Sequence, residues 1–230
     1  MAKNQTIVMS LGGSLIAPAE GDGVAFVKQF RALITRMVKG GTRFVIVTGG
    51  GAPARMYQDR VRALGIKDNE ILDWAGIGAS HANARYIWSV LRDLAAPEII
   101  SNPLAKKLPK GKVVIAGGHQ PGNSSDLVAV QLARAYKATC AVNLSNVEYV
   151  YDKDPKQFPD AQRHLTLTWK QMQEIVGEKW TPGMHTPFDP IATKFARKHK
   201  ISVAVLSGER LAELPGLVSG KAFHGTWIRP

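Results

Sequence analysis

Apolar and polar positions along the 230-residue chain fall into short apolar runs separated by longer stretches of helical spacing. TIVMSL (6–11), FVIVT (44–48), VVIA (113–116), CAVNL (140–144) and ISVAVL (201–206) are almost continuously apolar. Runs of that length, apolar on both alternating faces, predict strands buried on two sides. A further short strand is expected near Ile99. Between the runs, Val24, Phe26, Val27, Phe30, Leu33, Ile34, Met37 and Val38 recur at the spacing of a helix over 24–39 that ends at Gly40-Gly41. Helices are also predicted from about Pro53, where the proline suits a first turn, over about 69–94, from Ser124 to about Lys137, from a Thr168 cap to about Val176, and over about 189–199. The stretch SNVEYVYDKDP reads as a loop with room for one hairpin, and TPGMHTPFDP as a proline-rich connection. Strands alternating with helices imply an α/β fold with a mostly parallel central sheet, covered on both faces.

Three of the strands run straight into glycines: LGGS, TGGGAPAR and AGGHQPGNSS. In an open α/β sheet, ligands bind beyond the carboxyl ends of the strands, where adjacent loops diverge. Three such loops at one edge would make an amide-lined trough without side-chain obstruction, suited to phosphate. In the third, Gly117-Gly118 turns the backbone, Pro121-Gly122 turns it again, and Ser124-Ser125-Asp126 opens an alanine-rich helix. Free amides and the positive dipole end at such a start hold anions, although a capped helix after a tight loop accounts for the same residues. The P-loop pattern GxxxxGK[ST] is absent, no G-x-G-x-x-G follows the first strand, and neither HExxH nor G-x-S-x-G occurs.

Composition narrows the class further. Hydrophobic content of 45% and charged content of 21% are ordinary for a globular protein. No apolar run approaches the roughly 20 residues of a membrane span, and MAKNQTIVMSLGGS enters a strand without the long apolar segment of a signal peptide. A single cysteine, Cys140, excludes an internal disulfide and a cysteine-rich metal site; it lies in an apolar strand, and a cytoplasmic location is expected. The net charge of +12 suits a protein that handles nucleotides. The basic runs Lys106–Lys112 and Arg197–Lys200 contain no aromatic residues to stack on bases, so they read as a solvated loop and a solvated helix end, and nucleic acid is not expected as a partner.

LGGSLI, VTGGGAPAR, DWAGIGASHANA, GGHQPGNSSD, SNVEYVYDKDP, FDPIATK and the closing GTWI occur in the order and spacing of the amino-acid kinase superfamily, and within it the chain most resembles the archaeal-type UMP kinases. The resemblance covers nearly the whole chain, with GGHQPGNSSD and NVEYVYDKDP its most specific parts. It implies a three-layer α/β/α sandwich forming one domain. About 1–137 would serve the acceptor nucleotide and about 138–230 would serve ATP. It also implies phosphoryl transfer from ATP to UMP in pyrimidine nucleotide metabolism, magnesium dependence and a homohexamer.

Carried over position by position, Gly13 and Ser14 fall on the ATP-phosphate loop, with Gly51 and Arg55 on further ATP contacts. Gly50 falls on a UMP contact, and Asp73 matches the acidic residue that holds the acceptor ribose. His119, Gln120, Pro121, Gly122, Asn123, Ser124 and Ser125 match the loop around UMP. Ser145, Asn146, Tyr151 and Asp154 match the donor pocket. Asp126 is expected to orient cations near the transferred phosphoryl, and Lys194 is the candidate cation, since the lysine of bacterial-type members is replaced here by Ser10-Leu11. No protein ligand set for a metal is expected; magnesium would ride on the ATP phosphates.

Plainer roles stand beside these: Arg55 as a surface arginine, Asp73 as a helix-start residue, Asp154-Pro155 as a turn. Asp189-Pro190 reads better as a helix start than as a functional pair. The chain departs from its relatives at Glu148-Tyr149, where they usually carry Asp-Gly, and at His119 and Asn123. A ring at 149 could stack on adenine; otherwise the turn must be rebuilt with negative φ. Three alternatives remain at this point: a superfamily kinase with another small phosphorylated acceptor, a non-catalytic nucleotide- or oxyanion-binding homologue, and RNA binding through the basic runs.

Overall fold

The computed structural model describes residues 5–155, 157–180 and 186–230. In chain order the elements are β1 (Thr6–Leu11), α1 (Gly13–Ile16), α2 (Val24–Lys39), β2 (Arg43–Thr48), α3 (Gly51–Ala63), α4 (Asn69–Val90), β3 (Ala95–Ile100), β4 (Val113–Ala116), α5 (Ser125–Ala135), β5 (Cys140–Ser145), β6 (Val150–Tyr151), β7 (Arg163–His164), β8 (Thr166–Thr168), α6 (Trp169–Val176), α7 (Pro190–Lys198), β9 (Val203–Ser207), α8 (Leu214–Val218) and β10 (Gly225–Arg229), with a 3-10 stretch at Gly208–Glu213. Within TPGMHTPFDP, residues 181–185 lie outside the described residues.

Eight strands form one sheet in the order β3-β4-β2-β1-β5-β9-β10-β8. All neighbours run parallel except β10 against β9. Each strand alternates between two cores, because successive side chains point to opposite faces. Ile7, Met9 and Leu11 of β1 join the face covered by α2 and α4, with Phe30, Ile34 and Ile87. Val8 joins the other, with Leu127 and Val130 of α5 and Ala192 of α7. The apolar runs of the sequence are therefore strands buried twice over, and the three-layer α/β/α arrangement follows.

The strands predicted from apolar runs all form, with shifts of one or two residues. The second glycine loop passes into helix at Gly51, two residues before the expected start, and α5 ends at Ala135 rather than Lys137. Thr168 caps α6 in a reciprocal box with Gln171. The 145–155 loop does not pair within itself: its strand β6 pairs antiparallel with β7, beyond the loop. Tyr149 resolves the departure at its turn: only Lys137 and Lys200 among the described non-glycine residues have positive φ. Its ring is 4% exposed, with the Arg163 guanidinium 5.0 Å from its centroid and Tyr151 edge-on. Cys140 opens β5, and burial pushes its thiol up to about 12, which leaves it unreactive at neutral pH.

Candidate functional site

The sheet grows from β1 in both directions, through β2 to β3 on one side and through β5 to β8 on the other. Loops leaving the carboxyl ends of β2 and β5 thus flank the end of β1, the position at which open α/β sheets bind ligands. The first glycine loop is tied to β5 by Gly12 N–H donating to the Leu144 carbonyl at 2.7 Å. The second is tied to β1 by Gly49 N–H donating to the Leu11 carbonyl at 2.9 Å.

These two loops touch backbone to backbone. A Cβ on Gly13 would lie 2.0 Å from the Gly51 nitrogen, and one on Gly51 would lie 2.4 Å from the Gly13 carbonyl oxygen. Gly51 also has φ +67°, a left-handed value that disfavours side chains. Glycine is required at both positions by close approach.

The inner face of α4 is polar where it meets the loops. Ser80 Oγ donates to the Thr48 carbonyl at 2.8 Å and accepts from Gly118 N–H at 2.7 Å. Asn83 Nδ2 donates to the Gly49 carbonyl at 2.8 Å. Both side chains are buried, so these bonds satisfy groups that would otherwise be costly. The second and third loops are thereby held to one scaffold. Ser80 and Asn83 escape sequence reasoning, because isolated polar residues in a helical pattern read as solvent-facing.

The start of α5 is the electrostatic centre. Ser124 caps the helix, its Oγ accepting from Leu127 N–H at 3.1 Å. Its hydroxyl donates to the Asp189 carboxylate, and its own N–H bonds the same group. Asp189 is 1% exposed and caps α7, accepting from Ile191 and Ala192 N–H at 2.5 and 3.2 Å. The helix-start reading of Asp189 holds, and the carboxylate additionally clips α7 to α5.

Asp126, one turn position further, accepts at Oδ1 from Ser10 Oγ at 2.8 Å and from Asn143 Nδ2 at 3.1 Å. The Asp189 N–H reaches it as well. Burial pushes the Asp126 carboxyl up to about 7, against the hydrogen bond from Ser10, and the neighbouring Asp189 charge adds to the rise. Burial raises Asp189 too. Two carboxylates drawn out of water beside one another favour a cation between or near them. Ser10 and Asn143 had a signal in the sequence: one polar residue inside each otherwise apolar strand.

The remaining predicted residues fall into three groups. Asp73 and the loop 119–125 come together: Asp73 Oδ2 accepts from Gly122 N–H at 2.7 Å, and Gly122 has φ +79°. Burial raises the Asp73 pKa, opposed by that bond and by the Trp180 side chain. His119 Nδ1 lies 2.9 Å from the Ser101 carbonyl, Asn123 closes a turn with its N–H on the Gln120 carbonyl, and its Nδ2 donates to Pro121. At the trough, Gly13, Ser14, Gly50, Gly51 and Arg55 line up along the contact of α1 and α3, with Ser14 and Arg55 half-buried.

After β5, Ser145 Oγ accepts from Val147 N–H at 3.3 Å, Asn146 is exposed, Tyr151 lies in the small hairpin, and Asp154 accepts from Gln157 Nε2 at 3.2 Å. Lys194 differs from expectation in orientation, since its ammonium is engaged by the Glu178 carboxylate and carbonyl. Among the described residues, no three His, Cys, Asp or Glu side chains gather into a metal cage, and no helix is long and apolar enough to cross a membrane.

The amino acid kinase family model matches residues 5–207. A uridylate kinase of Methanoregula boonei is 37% identical over 223 residues, which cover 94% of this chain and 93% of that protein. One from Sulfolobus acidocaldarius is 33% identical over 204 residues, covering 87% and 89%. The crystal structure of uridylate kinase from Archaeoglobus fulgidus superposes with a TM-score of 0.81 at 32% identity, covering 96% of this chain and 99% of that one.

Proposed function

The chain belongs to the amino acid kinase family, and from that premise we infer that it is a uridylate kinase, passing the γ-phosphoryl group of ATP to UMP to give UDP and ADP. The observation that carries this reading is the convergence of three side-chain-free strand ends with the start of α5 at one sheet edge. An α-phosphate oxygen of UMP attacks the γ-phosphorus, and the bond to the β-phosphate bridging oxygen breaks. Such a transfer asks little covalent chemistry of the protein and much positioning and charge stabilisation.

In this reading Gly13, Ser14, Gly51 and Arg55 hold the donor phosphates, and Ser145, Asn146, Tyr151 and Asp154 border the donor nucleoside. Gly50, Asp73 and the loop His119–Ser125 serve UMP, so the acceptor half is about 1–137 and the donor half about 138–230. Asp73 would hold the acceptor loop through Gly122 and present its remaining lone pairs to ribose hydroxyls. The Ser124 hydroxyl and N–H are already committed to Asp189, which leaves the Ser125 amide as the more available phosphate ligand. Lys194 can serve the migrating group only by leaving Glu178.

Magnesium, when bound, would neutralise charge on the phosphates; it typically keeps several waters and takes one or two carboxylates. Asp126, raised in pKa and held by Ser10 and Asn143, fits that part. Assembly into a hexamer and a cytoplasmic location are further expectations that rest on the resemblance and on composition.

The test is phosphoryl transfer with ATP, magnesium and a panel of nucleoside monophosphates, with isopentenyl phosphate and carbamate as competing acceptors. UMP should be the best acceptor by a wide margin. Asp73→Asn should raise the Michaelis constant for UMP by about tenfold or more, the value of one hydrogen bond to a charged group, while that for ATP stays nearly constant. Equal effects on both substrates would remove Asp73 from the acceptor site.

A further inference from the structure

At the opposite, amino-terminal edge of the sheet, two concavities lie side by side. One, of about 860 Å³, is lined by Arg43, Lys106, Lys110, Lys112 and Lys137. The other, of about 320 Å³, is lined by Arg134, Lys137, His199 and Lys200. Lys137 belongs to both, so they form one row. We propose that this row binds the phosphate backbone of a single-stranded nucleic acid.

The fold unites what the sequence separates. The runs Lys106–Lys112 and Arg197–Lys200 looked like unrelated solvated segments, but the first leads into β4 and the second into β9. The lining follows the starts of five adjacent strands, β4-β2-β1-β5-β9. At about 4.8 Å per strand, four gaps make a row of about 19 Å. At about 3.4 Å of axial rise per nucleotide in a stacked strand, that row spans the length of five or six nucleotides. A nucleoside triphosphate brings three phosphates and would leave half the row unanswered.

The charge is also uncompensated. Neither concavity has an Asp or Glu in its lining. Among the described residues every salt bridge lies elsewhere, on Asp59, Asp93, Glu148, Asp160, Glu178 and Glu213. The Arg134 guanidinium lies 3.2 Å from His199 Nε2. Favourable interaction with the carbonyl ends of α5 and α7 accounts for Arg134 and Lys200. It does not account for Arg43, Lys106, Lys110 and Lys112, which sit on β2 and the loop before β4. Of the Phe and Tyr residues in the lining, Phe44 is buried in the core, and Tyr136 is held by its hydroxyl donating to the Pro109 carbonyl at 2.6 Å. With so little surface for stacking, recognition should run through phosphates and be indifferent to sequence.

The test is fluorescence anisotropy of labelled RNA and DNA strands of about 20 nucleotides with the full-length protein, between about 50 and 200 mM salt. Binding should weaken with salt with a log–log slope near −4, about 0.7 per phosphate contacted. The triple variant Lys110→Ala/Lys112→Ala/Lys137→Asn should reduce that slope by about 2. Asn at 137 tolerates the φ of +51° there. Lys28→Ala/Arg36→Ala/Lys39→Ala, which removes the same charge from exposed positions on α2, should leave both slope and affinity unchanged. UMP phosphorylation reads the folding of each variant, and Lys110→Glu alone, in an exposed loop, should weaken binding severalfold should the triple variant fail to fold. Absence of binding at the lowest salt, equal loss in the two triple variants, or full displacement of the strand by a saturating triphosphate would each overturn the proposal, the last in favour of a small polyphosphate site.

Discussion

Replacing Ser124 with alanine separates two roles for one hydroxyl. In the structure it caps α5 through Leu127 N–H and donates to the buried Asp189 carboxylate. Loss of the cap costs about 1 kcal/mol. Loss of a hydrogen bond to a charged, 1%-exposed carboxylate adds about 1.5–3 kcal/mol, for a total of about 2.5–4 kcal/mol. At about 2–4 °C per kcal/mol for a chain of this size, the melting temperature should fall by about 5–15 °C. Urea and thermal unfolding measure the loss directly. A double-mutant cycle with Asp189→Asn should show a coupling of about 1 kcal/mol or more, since the two side chains touch. Ser124→Thr, which keeps the hydroxyl, should recover most of the stability. A loss confined to about 1 kcal/mol with no coupling to Asp189, accompanied by a large rise in the Michaelis constant for UMP, would refute the clip. The hydroxyl would then belong to the substrate.

Two further outcomes follow from the burial of single side chains. Because the Asp126 pKa is raised to about 7, the folded chain binds more protons than the unfolded one between the ordinary carboxylate range and neutrality, so this group's contribution to stability falls as pH rises through that window and then levels off. Asp126→Asn should flatten that decline in pH-dependent unfolding while lowering turnover about a hundredfold, as removal of one charge-stabilising group does; an unchanged decline with unchanged turnover would refute the assignment. Tyr149→Gly should cost about 3–5 kcal/mol as a large buried ring is deleted, and its effect on ATP binding should be an indirect result of loosening the β6–β7 hairpin. A selective loss of ATP affinity at full stability, read by calorimetric titration, would restore the stacking role.

The parts of the fold that were legible in the sequence depend on local chemistry. Buried strands announce themselves by continuous apolar runs, and the caps at Ser124, Thr168 and Asp189 by side chains that bond amides two or three residues away. The parts that were not legible depend on who meets whom across the chain. Nothing local to GTWIR says that β10 runs antiparallel to β9 and parallel to β8. Gly13 and Gly51 each suggest a turn, but only their mutual contact explains why no other residue fits. At Tyr149 the sequence left two readings open for an instructive reason: a residue facing a substrate and a residue completing a small core both favour an aromatic ring, and burial favours the second.

Asp189 carries the same point into the site. As a cap it is ordinary, and its sequence context, Asp before Pro, implies nothing more. Its position 1% exposed against Ser124, with its N–H on Asp126, makes it the joint between α5 and α7. The arrangement opposes ionisation, since burial disfavours the charged form of both carboxyls and the Asp189 charge adds to the rise at Asp126. A buried charge without a countercharge is stabilised by whatever cation reaches it. On the proposed function, the same electrostatics would favour nucleotide that arrives with a metal ion, with the Ser124–Asp189 clip holding α5 against α7.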